Sequence, residues 1–588
     1  MRTFLIALTL VALSTLAAAE KVSPPDAGVA FNDLLERHWE WTLRNYPEFA
    51  SSLGDQRYAQ AWTDLTVAAH EKRYQELGEF LQILDTIDIS ALDDDAQMNA
   101  TLFRRQIQNA RDTHPYRQWL VPMSPMNGIQ TADQLADNMQ FTSADDYRNW
   151  IARLEGFTEL TEQTITLMQI GLNDGIVAPQ VLVQRLPEQV RALLVDTPAQ
   201  SSFYQPFESM PGIDSETAQT LRNNAQAAIA DHVLPAYRTL LAFLEQDYLP
   251  DARASVGISD QPNGADYYAL MAAQFTTTAL TPDEIHNIGL AEVERIRNEM
   301  LTIIADLEFD GGFAEFLDFL RSDPQFYFAD AEDLLTAYRA TSKRIDPELV
   351  RLFGKLPRTP YGVKPIPDAI APYTTTAYYN PPAGDGTRAG TYFVNLYRPE
   401  VRPTYEIEVL TVHEAMPGHH LQIALAQELG DVPDFRRFLS FTAFVEGWGL
   451  YSESLGGELG LYRDPYSKFG QLTYEMWRAV RLVVDTGMHA KGWSRQKAID
   501  FFTANAAKTP HDIANEIDRY IAWPGQALAY KIGELELKRM RAQAEQTLGD
   551  AFDVRAFHDQ ILSRGAIPLD VLETYFQRWL QRQITARD

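Results

Sequence analysis

The chain contains no cysteine in 588 residues. No disulfide can therefore stabilise the fold. A metal site would have to be built from histidine, aspartate and glutamate. That restriction suits a catalytic zinc better than a structural one, because structural zinc sites rely mainly on cysteine.

Basic residues are scarce relative to acidic ones. Lysine and arginine number 51 against 80 aspartates and glutamates, which gives a net charge of −29 at pH 7. Such a surface repels nucleic acid and anionic lipid, and no basic run offsets it. The composition therefore excludes a nucleic-acid-binding role and is compatible with neutral or cationic substrates.

An apolar segment at the N-terminus predicts export. A basic start, Met1-Arg2, precedes an apolar stretch over residues 4–16 that is too short to span a membrane, and Ala17-Ala18-Ala19 satisfies the small-residue cleavage rule. We predict a signal peptide over 1–19 and a periplasmic or secreted mature chain with no membrane association. Without a cysteine after the cleavage site, no lipid anchor is expected. The alternative is an N-terminal buried helix.

A cluster of histidines carries the strongest functional indication. His413, His419 and His420 lie in the segment HEAMPGHH, and Glu414 directly follows the first of them. Zinc hydrolases place two histidine ligands on one helix and use the adjacent glutamate to take a proton from water. In the usual His-Glu-x-x-His spacing the second ligand would fall at position 417, which is proline here.

Helix geometry distinguishes the two candidates for the second ligand, His419 and His420. Pro417 and Gly418 would kink or bulge a helix, and two inserted residues would return His419 to the ligand position. An unbroken helix would instead favour His420, about 10 Å along the axis from His413. We predict His413 and His419 as ligands, with His420 as the alternative. The structural alternative is a kinked helix with incidental histidines.

A third ligand is expected on the following helix. Glu446 lies in the apolar and aromatic segment 441–453, where an unpaired carboxylate would be costly. We predict that it binds the metal, although pairing with an arginine remains the alternative. Glu453 is on the same face, and it could replace Glu446 or support a ligand from outside.

Two later segments supply further candidates. In 477–489, Arg478 is a candidate for substrate binding and His489 for catalysis, although an ion-pair ladder and a core histidine are the structural alternatives. In 518–531, Arg519 could bind a peptide carboxylate and the Tyr530 hydroxyl could stabilise an oxyanion. Packing is the alternative for each of these two.

The sequence predicts a mainly α-helical fold. Amphipathic patterns indicate helices over 28–115 and 143–250, whereas 390–396 is typical of a strand. We predict a single domain over 20–588, formed as a large two-lobed helical body with a small β-sheet beside the active-site cleft. The N-terminal lobe would cover 20–340 and the catalytic lobe 341–588.

Four segments in the same order, HEAMPGHHLQ, FVEGWGLYSE, VRLVVDTGMH and WPGQALAYKIG, resemble the bacterial family called domain of unknown function 885. This family is grouped with gluzincin-type metallopeptidases, whose relatives include thimet oligopeptidase and thermostable carboxypeptidases. The resemblance implies a mostly helical fold, a zinc site of His413, His419 and Glu446, and Glu414 as the catalytic carboxylate. It also implies a strand along the substrate cleft with a free edge that can pair with an extended peptide.

These observations predict a metallopeptidase that binds one zinc ion per chain and cleaves short peptides, with Glu414 as general base. Two alternatives stay open. One is a metal-dependent hydrolase of a non-peptide amide or ester. The other is a non-catalytic periplasmic binding protein that retains a degenerate motif.

Overall fold

A computed structural model describes residues 26–368, 371, 375–382, 388–430 and 432–586. The predicted signal peptide, 1–19, lies outside these residues. Within the described part of the chain, no helix is both long and apolar enough to cross a membrane.

The fold is mainly α-helical, as predicted. The helices of the N-terminal part are α1 (Ala27–Asn45), α2 (Pro47–Ser52), α3 (Val67–Asp85), α4 (Asp94–Thr113), α5 (Ala144–Glu155), α6 (Phe157–Asp174), α7 (Gln180–Val183), α8 (Leu186–Ala192), α9 (Ser215–Ala228), α10 (Leu234–Phe243), α11 (Gly264–Thr276), α12 (Pro282–Asp306), α13 (Phe313–Ser322) and α14 (Ala331–Ile345). Short π-helical turns, Ile229–Val233 and Leu244–Tyr248, flank α10.

The C-terminal part contains α15 (Ile407–Glu414), α16 (His419–Gln427), α17 (Asp434–Phe438), α18 (Thr442–Leu455), α19 (Pro465–Ala490), α20 (Arg495–Thr503), α21 (Pro510–Ala522), α22 (Ala529–Leu548), α23 (Val554–Leu562) and α24 (Leu569–Thr585). Side-chain caps fix several of the helix starts. The Asp464 carboxylate, for example, accepts hydrogen bonds from two backbone amides in the first turn of α19.

A three-stranded sheet precedes α15 in the sequence. It consists of β1 (Tyr361–Pro365), β2 (Ala377–Asn380) and β3 (Gly390–Val394), in the spatial order β1-β3-β2. Strand β3 pairs in parallel with β1 and antiparallel with β2. The strand predicted over 390–396 is therefore present, but the expectation of a free edge for peptide pairing is wrong. Because β3 is central, both of its edges are already paired.

The largest apolar core joins the two ends of the chain. It combines residues of α1, α3 and α4, such as Phe31 and Phe103, with residues of α18 and α22, such as Trp448 and Leu537. Residues from both predicted lobes therefore contribute to one core. A second core lies wholly within residues 123–248 and packs α5, α6, α9 and α10 together.

Helices α18 and α22 approach each other closely through glycine. A Cβ atom added to Gly447 would lie 2.5 Å from the Cα atom of Gly533, and one added to Gly533 would lie 2.0 Å from the Ala443 carbonyl oxygen. The backbones of the two helices are thus in direct contact, which only glycine permits.

Substituting Gly447 by alanine should test this contact. We expect Gly447→Ala to lower the free energy of unfolding by about 1–3 kcal/mol, because the added methyl group overpacks the helix crossing. Gly457→Ala is the matched control, since nothing lies within 4 Å of a Cβ atom at that position. Thermal and denaturant unfolding measure both variants, and equal stabilities would contradict the close contact.

Candidate metal centre

The histidine motif lies at a break between two helices. Helix α15 ends at Glu414 and α16 begins at His419, so the predicted bulge within one helix is instead a complete interruption over residues 415–418. At the interruption the backbone of Gly418 approaches the preceding helix so closely that only glycine fits. A Cβ atom at position 418 would lie 1.9 Å from the His413 carbonyl oxygen. The break includes a cis peptide bond between Met416 and Pro417.

Helix α18 holds this break in place. The Trp448 indole donates a 2.8 Å hydrogen bond to the Pro417 carbonyl oxygen, and the Ser452 hydroxyl donates to the same oxygen at 3.4 Å. Both donors are buried. The loop between α15 and α16 is therefore fixed by the helix that carries the predicted third ligand.

The structure brings the three predicted metal ligands together. One potential ligand atom from each of His413, His419 and Glu446 lies within 4.8 Å of the other two. Oε2 of Glu446 is 3.7 Å from Nε2 of His413 and 3.6 Å from Nε2 of His419. The two imidazole rings are nearly perpendicular, at 81°.

Residues on one face of α18 contact both nitrogen atoms of the His413 ring. Glu446 faces Nε2 of His413, whereas Oε1 of Glu453 accepts a 2.8 Å hydrogen bond from Nδ1. Between the two glutamates, Gly449 lies against the ring, since a Cβ atom there would be 2.8 Å from His413 Cε1. Glu453 is therefore placed to support a ligand from behind, the second of the two roles considered for it.

His420 points away from this group. Its Nε2 donates to the Thr359 carbonyl oxygen at 3.1 Å, and its Nδ1 accepts from the Tyr379 hydroxyl at 2.8 Å. Burial lowers the pKa of His420 to about 4, which keeps the ring neutral. With both nitrogens occupied beside the sheet, His420 is not placed to share a metal ion with His413.

Strong electrostatic coupling links the three candidate ligands. Burial acts to raise the pKa of Glu446, but His413 and His419 outweigh it and hold that pKa well below its usual range. Burial acts to lower the pKa of His413, whereas Glu446 and Glu453 raise it to about 9. The buried carboxylates thus favour a positive charge at this point, supplied by a proton or by a metal ion.

Glu414 lies at the edge of the same group and is partly exposed. Its pKa is raised, mainly by burial and also by the charge of Glu446, while His413, His419 and Arg478 act in the opposite direction. A carboxylate with a raised pKa beside two imidazoles is suited to accept and return a proton.

Arg478 is part of the support around the ligands. Its Nη2 is 3.5 Å from Oε1 of Glu453, and its Nη1 donates to the Tyr474 carbonyl oxygen at 3.2 Å. Only 7% of the side chain is exposed. This geometry favours the structural alternative for Arg478, because its charge already faces Glu453.

Tyr530 lies within range of the charges of both Glu446 and Arg519. The pKa of Tyr530 is raised, first by burial and then by the charge of Glu446, and Arg519 acts on it in the opposite direction. Tyr530 is partly exposed. Both residues thus remain candidates for contact with a substrate.

His489 is satisfied elsewhere in the core. Its Nδ1 accepts from the Ile258 amide at 3.1 Å, and its Nε2 donates to the Tyr520 carbonyl oxygen at 2.9 Å. It is fully buried, and burial lowers its pKa to about 4. The geometry favours the core-histidine alternative over a catalytic role.

Two parts of the site were not predicted from the sequence. The role of Gly449 beneath the His413 ring was missed, although glycine inside a helix often marks a close approach. Glu516, whose Oε2 accepts a 3.1 Å hydrogen bond from Arg519, was also missed, although its spacing of three residues from Arg519 could have identified the pair. The Thr359 and Tyr379 partners of His420 are too remote in sequence to be found this way.

A mainly helical chain with a His-His-Glu group therefore emerges from the structure. The chain belongs to the family described as "Bacterial protein of unknown function (DUF885)", which matches residues 47–575. The predicted family is thus confirmed, whereas the kinship with gluzincin peptidases stays a prediction.

Two solved structures are similar to the chain. The crystal structure of a "putative lipoprotein" from Colwellia psychrerythraea shares 29% sequence identity over 95% of this chain and 100% of that chain, with a TM-score of 0.87. A "putative lipoprotein of unknown function" from Shewanella oneidensis shares 17% identity over 95% of this chain and 100% of that chain, with a TM-score of 0.73. At this identity it supports the fold alone. No curated protein matches the chain.

The donor set is compatible with a zinc ion. Two imidazoles and one carboxylate are the ligands of many catalytic zinc sites, in which the fourth position stays open for water or substrate. Atoms 3.6 Å apart can each lie about 2 Å from one ion. The hydrogen bond from His413 to Glu453 matches the outer support that such sites use.

The raised pKa of His413 predicts that metal binding depends on pH. Below the pKa of about 9, Nε2 must lose a proton before it can bind an ion. We therefore expect the apparent affinity for Zn²⁺ to rise about tenfold between pH 7 and pH 8, with release of about one proton. Competition with a chromophoric chelator measures the affinity, and calorimetry in buffers of different ionisation enthalpy counts the proton. An affinity independent of pH would contradict this protonation.

Proposed function

We propose that the chain is a zinc-dependent hydrolase, a metallopeptidase that cleaves short peptides with Glu414 as general base. The observation that carries the proposal is the convergence of His413, His419 and Glu446, whose potential ligand atoms lie within 4.8 Å of one another. Glu414 beside this group and Glu453 behind it supply the remaining parts that hydrolysis would require.

Each side chain has a definite task in the proposed reaction. A zinc ion, when bound, would activate water and polarise the scissile carbonyl. The Glu414 carboxylate would accept a proton from the attacking water and return it to the leaving amine. Its raised pKa suits this exchange, because it brings the carboxyl closer to the pH at which the reaction runs.

Tyr530 and Arg519 would act on the substrate rather than on the water. The raised pKa of Tyr530 keeps its hydroxyl protonated, so it can donate a hydrogen bond to the oxyanion that develops at the scissile carbonyl. The Arg519 guanidinium would bind a carboxylate of the peptide.

The proposed location is the periplasm or the extracellular space. Support comes from the predicted signal peptide over 1–19 and from the similar structure from Colwellia psychrerythraea, which is described as a putative lipoprotein. The net charge of −29 adds a surface that repels nucleic acid.

Metal analysis of the purified protein tests the ligand set. We expect about one zinc ion per chain after reloading. His413→Ala and His419→Ala should lose it, because each removes one of three protein ligands. His420→Ala is the matched control and should keep the zinc, since His420 bonds to Thr359 and Tyr379 instead. A wild-type protein that binds no zinc would overturn the proposal.

The role of Glu414 is tested separately from metal binding. We expect Glu414→Gln to keep its zinc and to lower kcat for short peptides by about 10²- to 10⁴-fold, the usual contribution of a general base. A panel of peptides, small amides and esters measures the activity. Cleavage of amides or esters but not of peptides would replace the peptidase assignment, and an unchanged kcat in Glu414→Gln would exclude the general-base role.

A further inference from the structure

A compact group of charged and aromatic side chains lies beside the candidate metal centre. We call it the arginine cluster and define it as Arg481, Glu516, Arg519, Tyr520 and Tyr530. The cluster joins α19, α21 and the start of α22.

One carboxylate oxygen holds the cluster together. Oε2 of Glu516 accepts hydrogen bonds from Arg481 at 3.2 Å, from Arg519 at 3.1 Å and from the Tyr520 hydroxyl at 2.6 Å. The Tyr520 hydroxyl also accepts from Nε of Arg481 at 2.8 Å. The two guanidinium groups are therefore fixed in position by a shared acceptor.

The cluster carries more positive than negative charge. Two guanidinium groups face the single carboxylate of Glu516, so one positive charge has no anionic counterpart within the cluster. Nη1 of Arg481 is buried and has no hydrogen-bond partner among the described residues. A buried charge without a partner is costly, and this surplus lies inside a chain whose net charge is −29.

Tyr530 connects the cluster to the metal ligands. The Arg481 guanidinium lies 4.2 Å from the centre of the Tyr530 ring. Tyr530 also lies about one helical turn before Gly533 on α22. The backbone of Gly533 contacts that of Gly447, the residue that follows Glu446. The cluster thus contacts helix α22, whose backbone touches the helix that carries Glu446.

The two arginines differ in access. Only 5% of the Arg481 side chain is exposed, against 19% of the Arg519 side chain. Arg519 is thus the residue that can touch a ligand, whereas Arg481 positions Tyr530 and maintains the positive charge. Arg478 is not equivalent, because it lies 3.5 Å from Glu453.

We infer that the arginine cluster binds the free terminal carboxylate of a peptide substrate, so that the enzyme is a carboxypeptidase or dipeptidase rather than an endopeptidase. This inference rests on the proposed function and deepens it. A carboxylate supplies the one negative charge that the cluster lacks, and a guanidinium binds it in a planar, two-pronged geometry. Because the cluster contacts Tyr530 on α22, and α22 touches the helix that carries Glu446, the inference places the scissile bond near the carboxyl end of the substrate.

Binding measurements test the inference without requiring turnover. The probes are N-acetyl-Ala-Ala and its C-terminal amide, which differ only in the terminal charge. In zinc-loaded Glu414→Gln we expect the free acid to bind about 10- to 100-fold more tightly than the amide, as measured by calorimetry. In the wild type, kcat/KM for matched peptide acids and amides should show the same preference.

Variants of Arg519 assign the preference to the cluster. Arg519→Gln should reduce the acid-to-amide ratio to about one, and Arg519→Lys should retain part of the preference because it keeps the charge but loses the fork. Arg539→Gln is the matched control, since this exposed arginine of α22 pairs with Glu536 and Glu573 far along the helix.

The outcomes separate this inference from the proposed function. Equal binding of acid and amide by the parent protein, or no detectable binding of the acid, overturns the carboxylate site. Equal hydrolysis of acids and amides would leave the peptidase assignment intact and exclude the exopeptidase. A persistent preference for acids in a protein that hydrolyses no peptide would retain the carboxylate site and overturn the peptidase assignment.

Discussion

The position of the His413 ring on helix α18 is the constraint on which the candidate centre depends. Glu446, Gly449 and Glu453 follow one another on a single helical face and meet Nε2, the ring edge and Nδ1 in turn. A bulkier residue than glycine in the middle would push the ring away from both carboxylates. The rigidity of α18 therefore sets the distance between Glu446, a candidate ligand, and Glu453, which supports the His413 ring.

Two carboxylates of the candidate site, Glu446 and Glu453, each face groups of opposite or protonatable charge. Glu453 faces His413 on one side and Arg478 on the other, while Glu446 faces both candidate histidine ligands. Removing one member of such a group leaves another charge buried and unpaired. This balance explains how several carboxylates can lie in an otherwise apolar core of the fold.

Local chemistry made much of the site predictable. The His-Glu pair predicted His413 and Glu414 as members of the candidate site, and the isolated carboxylate in an apolar helix predicted Glu446. The choice of His419 over His420 followed from the Pro417-Gly418 pair, although the sequence predicted a bulge where the chain forms two separate helices. Mainly helical structure and the strand at 390–394 were likewise evident from composition and pattern.

Contacts between residues that are far apart in the sequence could not be predicted. Nothing in the sequence shows that β3 is central, because strand order depends on β1 and β2, which are defined only by their hydrogen bonds. Likewise, His489 has partners at Ile258 and Tyr520, and no periodic pattern links these positions. In the same way, no pattern in the sequence shows that residues of α1 and α4 share an apolar core with residues of α22.

The contact between Gly447 and Gly533 has a mechanical consequence. Since the backbones of α18 and α22 touch, neither helix can slide or rotate without carrying the other. Glu446 and Tyr530 therefore belong to one stiff frame, and any opening that admits a substrate must be made by other segments moving against that frame.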